Sequence, residues 1–205
     1  DLLPEFYEHF GFGERTGVDL PGESAGRVPT SEWQRQNGAT EEDRYWGGGR
    51  WVNMAIGQGD ALATPMQLAV AYASIQNGGT LVEPHLALQG STQNGEEVRD
   101  LSGGEEEEVD VTDRQLSATL EGLRAVTEPG GTAASAFEDN PLSVVGKTGT
   151  AESGDGEADS IGWFAGWAED QQDPVVVVTM VEGGGGDQVA APAVSRVLEQ
   201  HHDVE

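Results

Sequence analysis
The stretch that decides the fold is Leu142-Ser143-Val144-Val145-Gly146-Lys147-Thr148-Gly149-Thr150. It is followed by Ile161-Gly162-Trp163-Phe164-Ala165-Gly166-Trp167-Ala168 and by Pro174-Val175-Val176-Val177-Val178-Thr179-Met180-Val181. β-Branched and aromatic residues fill all three runs, which is the composition of strands on a half-buried sheet. Only Glu169 to Asp173 separates the second run from the third, a length that suits an antiparallel hairpin. The expected pairing is therefore antiparallel, with 144–150 beside 161–168 and 161–168 beside 174–181. After Gly183 to Gly186, the segment from Ala190 to about Gln200 reads as a closing helix. Strands followed by a helix in this order point to an α+β domain with an antiparallel sheet.

Upstream, two helices announce themselves by their starts. Thr64, Pro65 and Gln67 form a capping-box opening with proline in the first turn, so a helix is expected from Pro65 to about Gln76. Met66, Leu68, Ala69, Val70, Ala71, Tyr72, Ala73 and Ile75 occupy nearly every face of it, which predicts burial almost all round. Asn77, Gly78 and Gly79 stop it. A second capping box, Thr112 with Gln115, opens a helix whose Leu116, Leu120, Leu123 and either Ala125 or Val126 recur at helical spacing. Glu128 to Gly131 end it. Residues 1–53 are rich in turn formers and read as mostly loop with short extended pieces. The polar stretch Gln89 to Asp110, with its run Glu105 to Glu108, reads as a solvated loop or hairpin tip.

Composition limits the partners. The 205 residues carry 37 acidic and 10 basic side chains, a formal charge of −27, so nucleic acid and anionic lipid are disfavoured. Nine of the ten basic residues are arginine, and Lys147 is the only lysine. Such a balance resembles a salt-adapted proteome, or a solvated surface. There is no cysteine, which excludes disulfides and zinc-thiolate sites, and no apolar run near the roughly 20 residues that cross a bilayer. Glycine and proline, at 30 and 9, stay below the roughly 25–30% of low-complexity chains, so a folded, loop-rich domain is expected.

Three motifs, and a dinucleotide fingerprint beside the first, compete for chemistry. Gly146-Lys147-Thr148 could end a phosphate loop, but that loop needs a glycine where Pro141 stands and a helix where the polar segment 152–160 stands. A dinucleotide fingerprint from Gly57-Gln58-Gly59 fails because Leu62 occupies its third glycine position. Gly22-Glu23-Ser24-Ala25-Gly26 matches the nucleophile elbow of α/β-hydrolases, with His85, His201 and His202 downstream. An elbow requires a strand before it and a helix behind it, whereas Pro21 and Pro29 flank this one; an ordinary turn is expected. His85 beside Pro84 reads as a loop residue, and the terminal histidines as exposed or frayed. Lys147-Thr148-Gly149-Thr150 remains. On a strand, its ammonium can stabilise a substrate carboxylate or support a serine's proton transfer. Thr148 and Thr150 share a strand face, and Gly149 permits close approach of a substrate backbone. A lysine on a sheet edge is commonly mere solvation; its being the only lysine favours chemistry.

Here a resemblance enters. Lys-Thr-Gly is the third motif of penicillin-binding proteins and class A β-lactamases, and Gly146 to Glu152 resembles it with its flanks. Phe10-Gly11-Phe12-Gly13-Glu14-Arg15-Thr16-Gly17-Val18-Asp19-Leu20-Pro21-Gly22-Glu23 is similar to the segment after the second motif of class B penicillin-binding proteins. Asn53-Met54-Ala55-Ile56-Gly57-Gln58-Gly59-Asp60, with Thr64-Pro65-Met66-Gln67-Leu68-Ala69, resembles the lead into the family's long helix, and Gly162-Trp163-Phe164-Ala165-Gly166 its next strand. The resemblance spans nearly the whole chain and is weakest from Gln89 to Asp110. The departure is that no serine has a lysine three positions on or an asparagine two positions on, so the first two motifs are absent.

The resemblance implies a penicillin-binding protein/serine β-lactamase-like fold, with residues 1–205 as the C-terminal portion of a single transpeptidase domain. It implies a D,D-transpeptidase that attacks the D-alanyl-D-alanine end of peptidoglycan stem peptides through an acyl-serine and binds β-lactams, its nucleophile lying upstream and the fragment alone inactive. Lys147 would provide positive charge beside the second motif's serine. Thr148 and Thr150 would hold the substrate carboxylate, and the Thr150 N–H would join the oxyanion hole. Elongation-type enzymes are the nearer match, through Ile56 to Asp60. Stem peptides, β-lactams and other cell-wall synthesis proteins are the expected partners, with no nucleic acid, metal or organic cofactor. The expected place is the extracytoplasmic face of the membrane, anchored by an N-terminal segment absent from this chain. The alternatives are an esterase using Ser24 and a non-catalytic cell-wall-binding relative.

Overall fold
The computed structural model describes residues 2–94, 97–101, 103–152 and 160–204. Backbone contacts divide the chain into two compact units. One comprises residues up to Ala71 together with Thr80–Val109, and the other comprises Tyr72–Gly79 together with the residues from Asp110 onward.

In the first unit three short helices, α1 (Leu2–Glu8), α2 (Ser31–Asn37) and α3 (Gly48–Ala55), lie where mostly loop was expected. They are too short to show a helical period, and α3 opens on Gly48 and Gly49, poor helix formers. What holds them is specific bonding. The Thr30 hydroxyl caps α2 by accepting the Trp33 N–H at 3.0 Å, and the Tyr7 hydroxyl on α1 donates to Met54 O on α3 at 2.7 Å. Helix α4 (Pro65–Gln76), which belongs to this unit as far as Ala71 and to the second from Tyr72, matches expectation at both ends, with Thr64 N–H donating to Gln67 Oε1 at 2.9 Å and Gln67 N–H to Thr64 Oγ1 at 3.1 Å. Its burial is less complete than its composition suggests. Only Gln67, Ala71 and Ser74 are fully buried, and most of the remainder is half-buried. Gln67 is a polar tie at the start of the helix, its amide nitrogen donating to Glu14 O at 2.7 Å and Ala25 O at 2.8 Å. Buried without those partners, the amide would cost about 1–3 kcal/mol.

The remainder of this unit is built from short strands. β1 (Thr80–Val82), β2 (Gln89–Ser91), β3 (Glu97–Asp100) and β4 (Glu106–Glu108) form two antiparallel pairs, β1 with β4 and β2 with β3. The acidic run expected as a solvated loop or hairpin tip is in part a strand, with Glu106 to Glu108 exposed along it. Residues 95–96 and 102 lie outside the described residues. The Asp19 carboxylate caps the loop before β2 by accepting the Leu86 and Ala87 N–H groups at 2.8 and 2.9 Å. The Ala87 and then the Leu86 bond hold its pKa below the usual carboxylate value.

In the second unit α5 (Asp113–Thr127) carries the expected capping box of Thr112 and Gln115. A one-turn α6 (Ala134–Phe137) follows. Next come β5 (Val144–Glu152), β6 (Ser160–Ala168), β7 (Val177–Glu182), a single π turn (Gly186–Ala190) and α7 (Ala191–His201). The sheet order is β5-β6-β7, antiparallel throughout, as the sequence predicts. β7 starts three residues later than expected, at Val177, and Val175 and Val176 pack against the side-chain clusters ahead of it. The alternation of a strand then sends neighbours to opposite faces. Val144 and Phe164 pack with Phe137, Val194 and Leu198, while Val145 and Trp167 pack with Leu123, Leu120, Tyr72 and Ile75. Helices therefore cover both faces of the sheet where β5 begins and β6 ends, at Val144, Val145, Phe164 and Trp167. Arg124 on α5 and Glu169 after β6 form a bidentate ion pair at 2.7 and 2.6 Å.

Candidate active site
β5 is the first strand of its sheet and pairs on one side with β6, so its other edge is an edge of that sheet among the described residues. Along it, Val144 to Gly146 are buried and the strand then emerges: Lys147 is exposed, Thr148 and Gly149 are half-buried, and Thr150 is exposed. The four predicted site residues are thus presented together at the point where the core ends. In register they face Ala165, Phe164, Trp163 and Gly162 of β6. Lys147 Nζ donates to Thr148 O at 2.9 Å.

Each threonine hydroxyl is met by a different turn. The Thr148 hydroxyl lies 3.0 Å from the hydroxyl of Thr132, in the turn between α5 and α6. The Thr150 hydroxyl accepts the Gly186 N–H at 3.2 Å, from the first residue of the π turn. That turn lies flat on the sheet because glycine meets glycine. A Cβ on Gly186 would stand 2.4 Å from Gly149 O and 2.5 Å from Trp163 O, and one on Gly162 would stand 2.7 Å from Gly185 O. At Gly149 the protein itself takes up the space a side chain would need, with Trp163 Cβ 3.3 Å from the position of a Cβ.

Thr132 and Gly186 were not picked out from the sequence. Each sits in a glycine-rich stop signal, and the contacts they make span 16 and 36 residues, which no local pattern encodes.

The Ser24 motif lacks the surroundings of a nucleophile elbow. Its hydroxyl accepts the Gly26 N–H at 3.2 Å in an exposed turn, Arg27 then bridges to Leu62 in extended form, and the next helix starts only at Ser31. His201 ends α7 exposed, while His202 is half-buried against it. The phosphate-loop reading fails as well, since Lys147 and Thr148 lie within a strand that continues to Glu152 and do not open a helix; residues 153–159 lie outside the described residues. No cluster of three metal-ligating side chains is found among the described residues, and no helix there is long and apolar enough to cross a membrane.

Comparison with known proteins decides the family. Residues 1–199 match the family model of the penicillin-binding protein transpeptidase domain. The chain belongs to the penicillin-binding protein transpeptidase family. Among curated relatives it is similar to the peptidoglycan D,D-transpeptidase MrdA of Haemophilus influenzae, 30% identical, with 98% of this chain aligned to 32% of that protein. The chain therefore spans about a third of that relative's length. Among solved structures, Pseudomonas aeruginosa PBP2 in complex with WCK 5153 superposes with a TM-score of 0.79 at 30% identity, over 97% of this chain and 43% of that one. A chain of a peptidoglycan synthase complex that coordinates polymerization and crosslinking superposes with a TM-score of 0.78 at 33% identity, over 97% and 32%. The α+β architecture of this transpeptidase chain is that of the penicillin-binding proteins.

Proposed function
We propose that this chain supplies the Lys-Thr-Gly-Thr wall of the active site of a serine D,D-transpeptidase, and that both compact units are parts of one transpeptidase domain. The observation that carries the reading is the pair of hydroxyls on Thr148 and Thr150. They lie two residues apart where an edge strand leaves the core, and each is met by a separate turn. A strand edge with fixed hydroxyls and a neighbouring ammonium suits a peptide that ends in a carboxylate.

In the reaction, a serine from the intact protein attacks the carbonyl of the penultimate D-alanine of a stem peptide. The acyl-serine ester forms, and the terminal D-alanine leaves with a proton on its amine. The amine of a second stem then attacks the ester, forming the crosslink and restoring the serine hydroxyl. Lys147 supplies positive charge to the proton transfers. Thr148 and Thr150 hold the carboxylate, the backbone at Gly149 lies along the substrate, and the Thr150 N–H donates to the oxyanion, a contribution worth about 2.7–4 kcal/mol where it has been measured in other enzymes. β-Lactams enter the same way, but their leaving nitrogen stays tethered and the acyl-serine persists.

The similarity to MrdA supports an elongation-type enzyme, and the neighbour within a peptidoglycan synthase complex supports other cell-wall synthesis proteins as partners. Stem peptides are made into wall outside the cytoplasm, which places the enzyme on the extracytoplasmic face of the membrane, held there by an anchor in the intact protein. The test is labelling of the intact protein with a fluorescent penicillin and mapping of the adduct by mass spectrometry. An adduct on a serine outside these residues is expected. An adduct on Ser24 would favour an esterase, and no adduct would favour a non-catalytic cell-wall-binding relative.

A further inference from the structure
The last residue of α5 and the turn that follows it each reach β5. The Thr127 hydroxyl donates to Val144 O at 2.5 Å, and the Thr132 hydroxyl meets that of Thr148 at 3.0 Å. The first bond fixes backbone, and the second joins two side chains, one of which is a site residue. Thr132 is held rigidly for this contact. On one side Gly131 admits no side chain, since a Cβ there would stand 2.2 Å from Ala125 O and 2.3 Å from Val126 O, and Gly130 before it has a φ of 95°. On the other side Ala133 is fully buried in the core, its N–H donating to Val126 O at 2.9 Å. The backbone of Thr132 is therefore pinned between a glycine that cannot be replaced and a core alanine.

We propose that Thr132 is a positioning residue of the transpeptidase site, its hydroxyl orienting the Thr148 hydroxyl towards the carboxylate of the substrate or β-lactam. A hydroxyl has one proton and two lone pairs, and a carboxylate only accepts. When a carboxylate binds, the Thr148 proton must point to it, so Thr148 Oγ1 has to be the acceptor of the Thr132 pair and Thr132 the donor. The chain of donation then runs from Thr132 to Thr148 to the ligand, each bond polarising the next. Without Thr132 the Thr148 hydroxyl loses the partner that selects its rotor and has to be ordered at the expense of ligand binding. The bond lies at an exposed position between two short side chains, so folding does not depend on it.

This inference rests on the transpeptidase reading, and the experiment separates the two. Acylation of the intact protein by penicillin is followed at several concentrations, resolving the initial binding constant from the acylation rate constant. Thr132→Val should weaken initial binding about 3- to 10-fold, the worth of one neutral hydrogen bond. It should leave the acylation rate constant within about twofold, as expected for a group acting on bound carboxylate and not on the reacting carbonyl. Thr132→Ser should restore binding, and in a Thr148→Val background Thr132→Val should add nothing further. Unchanged binding by Thr132→Val, failure of the serine variant to restore it, or a loss that persists without the Thr148 hydroxyl would each overturn the inference alone. A wild-type protein that penicillin does not acylate would overturn the transpeptidase reading and the inference with it.

Discussion

Replacing Gly186 with alanine tests how the glycine turn and the site strand depend on each other. The added methyl would stand 2.4 Å from Gly149 O, 2.5 Å from Trp163 O and 2.9 Å from Gly149 N, all backbone atoms of two paired strands. Ordinary contact begins near 3.4 Å, so the π turn has to lift by about 1 Å, since the sheet below cannot yield. Overpacking of this kind costs about 1–3 kcal/mol. Lifting also breaks the Gly186 N–H bond to Thr150 Oγ1, adding about 0.5–1.5 kcal/mol and releasing the Thr150 hydroxyl. Together these come to about 1.5–4.5 kcal/mol, which is large for one methyl group. The control is Gly122→Ala on α5, where nothing lies within 4 Å of the added Cβ and helix propensity favours alanine by about 0.5–1 kcal/mol. Denaturant unfolding and penicillin acylation are measured on both variants of the intact protein. Gly186→Ala should lower the unfolding midpoint and slow acylation, while Gly122→Ala should raise or preserve both. Equal behaviour of the two variants would refute the packing of the turn on the strand.

Tyr72 packs edge-on to Trp167 with ring centroids 6.3 Å apart, and burial pushes its phenol from 10.0 up to about 12. The unfolded chain therefore releases this proton first. The stability is complete below pH 10 and is lost as pH rises towards 12, by about 2–3 kcal/mol over that window. Unfolding midpoints from pH 9 to 12 should show this decline, and Tyr72→Phe should flatten it; a decline of equal size in the variant would exclude Tyr72 as its cause. Added salt should raise the melting temperature, because screening weakens repulsion within a surface of net charge −27. A melting temperature that stays flat or falls between low and molar potassium chloride would contradict a salt-adapted surface.

The sheet was legible in the sequence because its signals are local. β-Branched runs of the right length fall in order, and the five-residue gap from Glu169 to Asp173 leaves an antiparallel return as the simple connection. The two capping boxes placed α4 and α5 almost to the residue, since Thr64 with Gln67 and Thr112 with Gln115 define an end by direct bonding. The early helices escaped because α1, α2 and α3 are only 7 or 8 residues long and are held by contacts remote in sequence, such as Tyr7 with Met54. Lys147, Thr148, Gly149 and Thr150 could be read as one candidate group because a single strand carries all four. Thr132 and Gly186 could not, because a turn's chemistry depends on what it lands on, and their partners belong to a strand elsewhere in the chain.

The central claim is that Lys147 stands in the reacting site, and the rate of penicillin acylation of the intact protein with Lys147→Ala measures it most directly. Loss of a charge that supports proton transfer should slow acylation by about 10²- to 10⁴-fold, with the unfolding midpoint little changed because the Lys147 side chain is exposed and its Nζ bonds the next residue's carbonyl. Acylation undiminished by Lys147→Ala would contradict the account and show that β5 does not form the wall of the site.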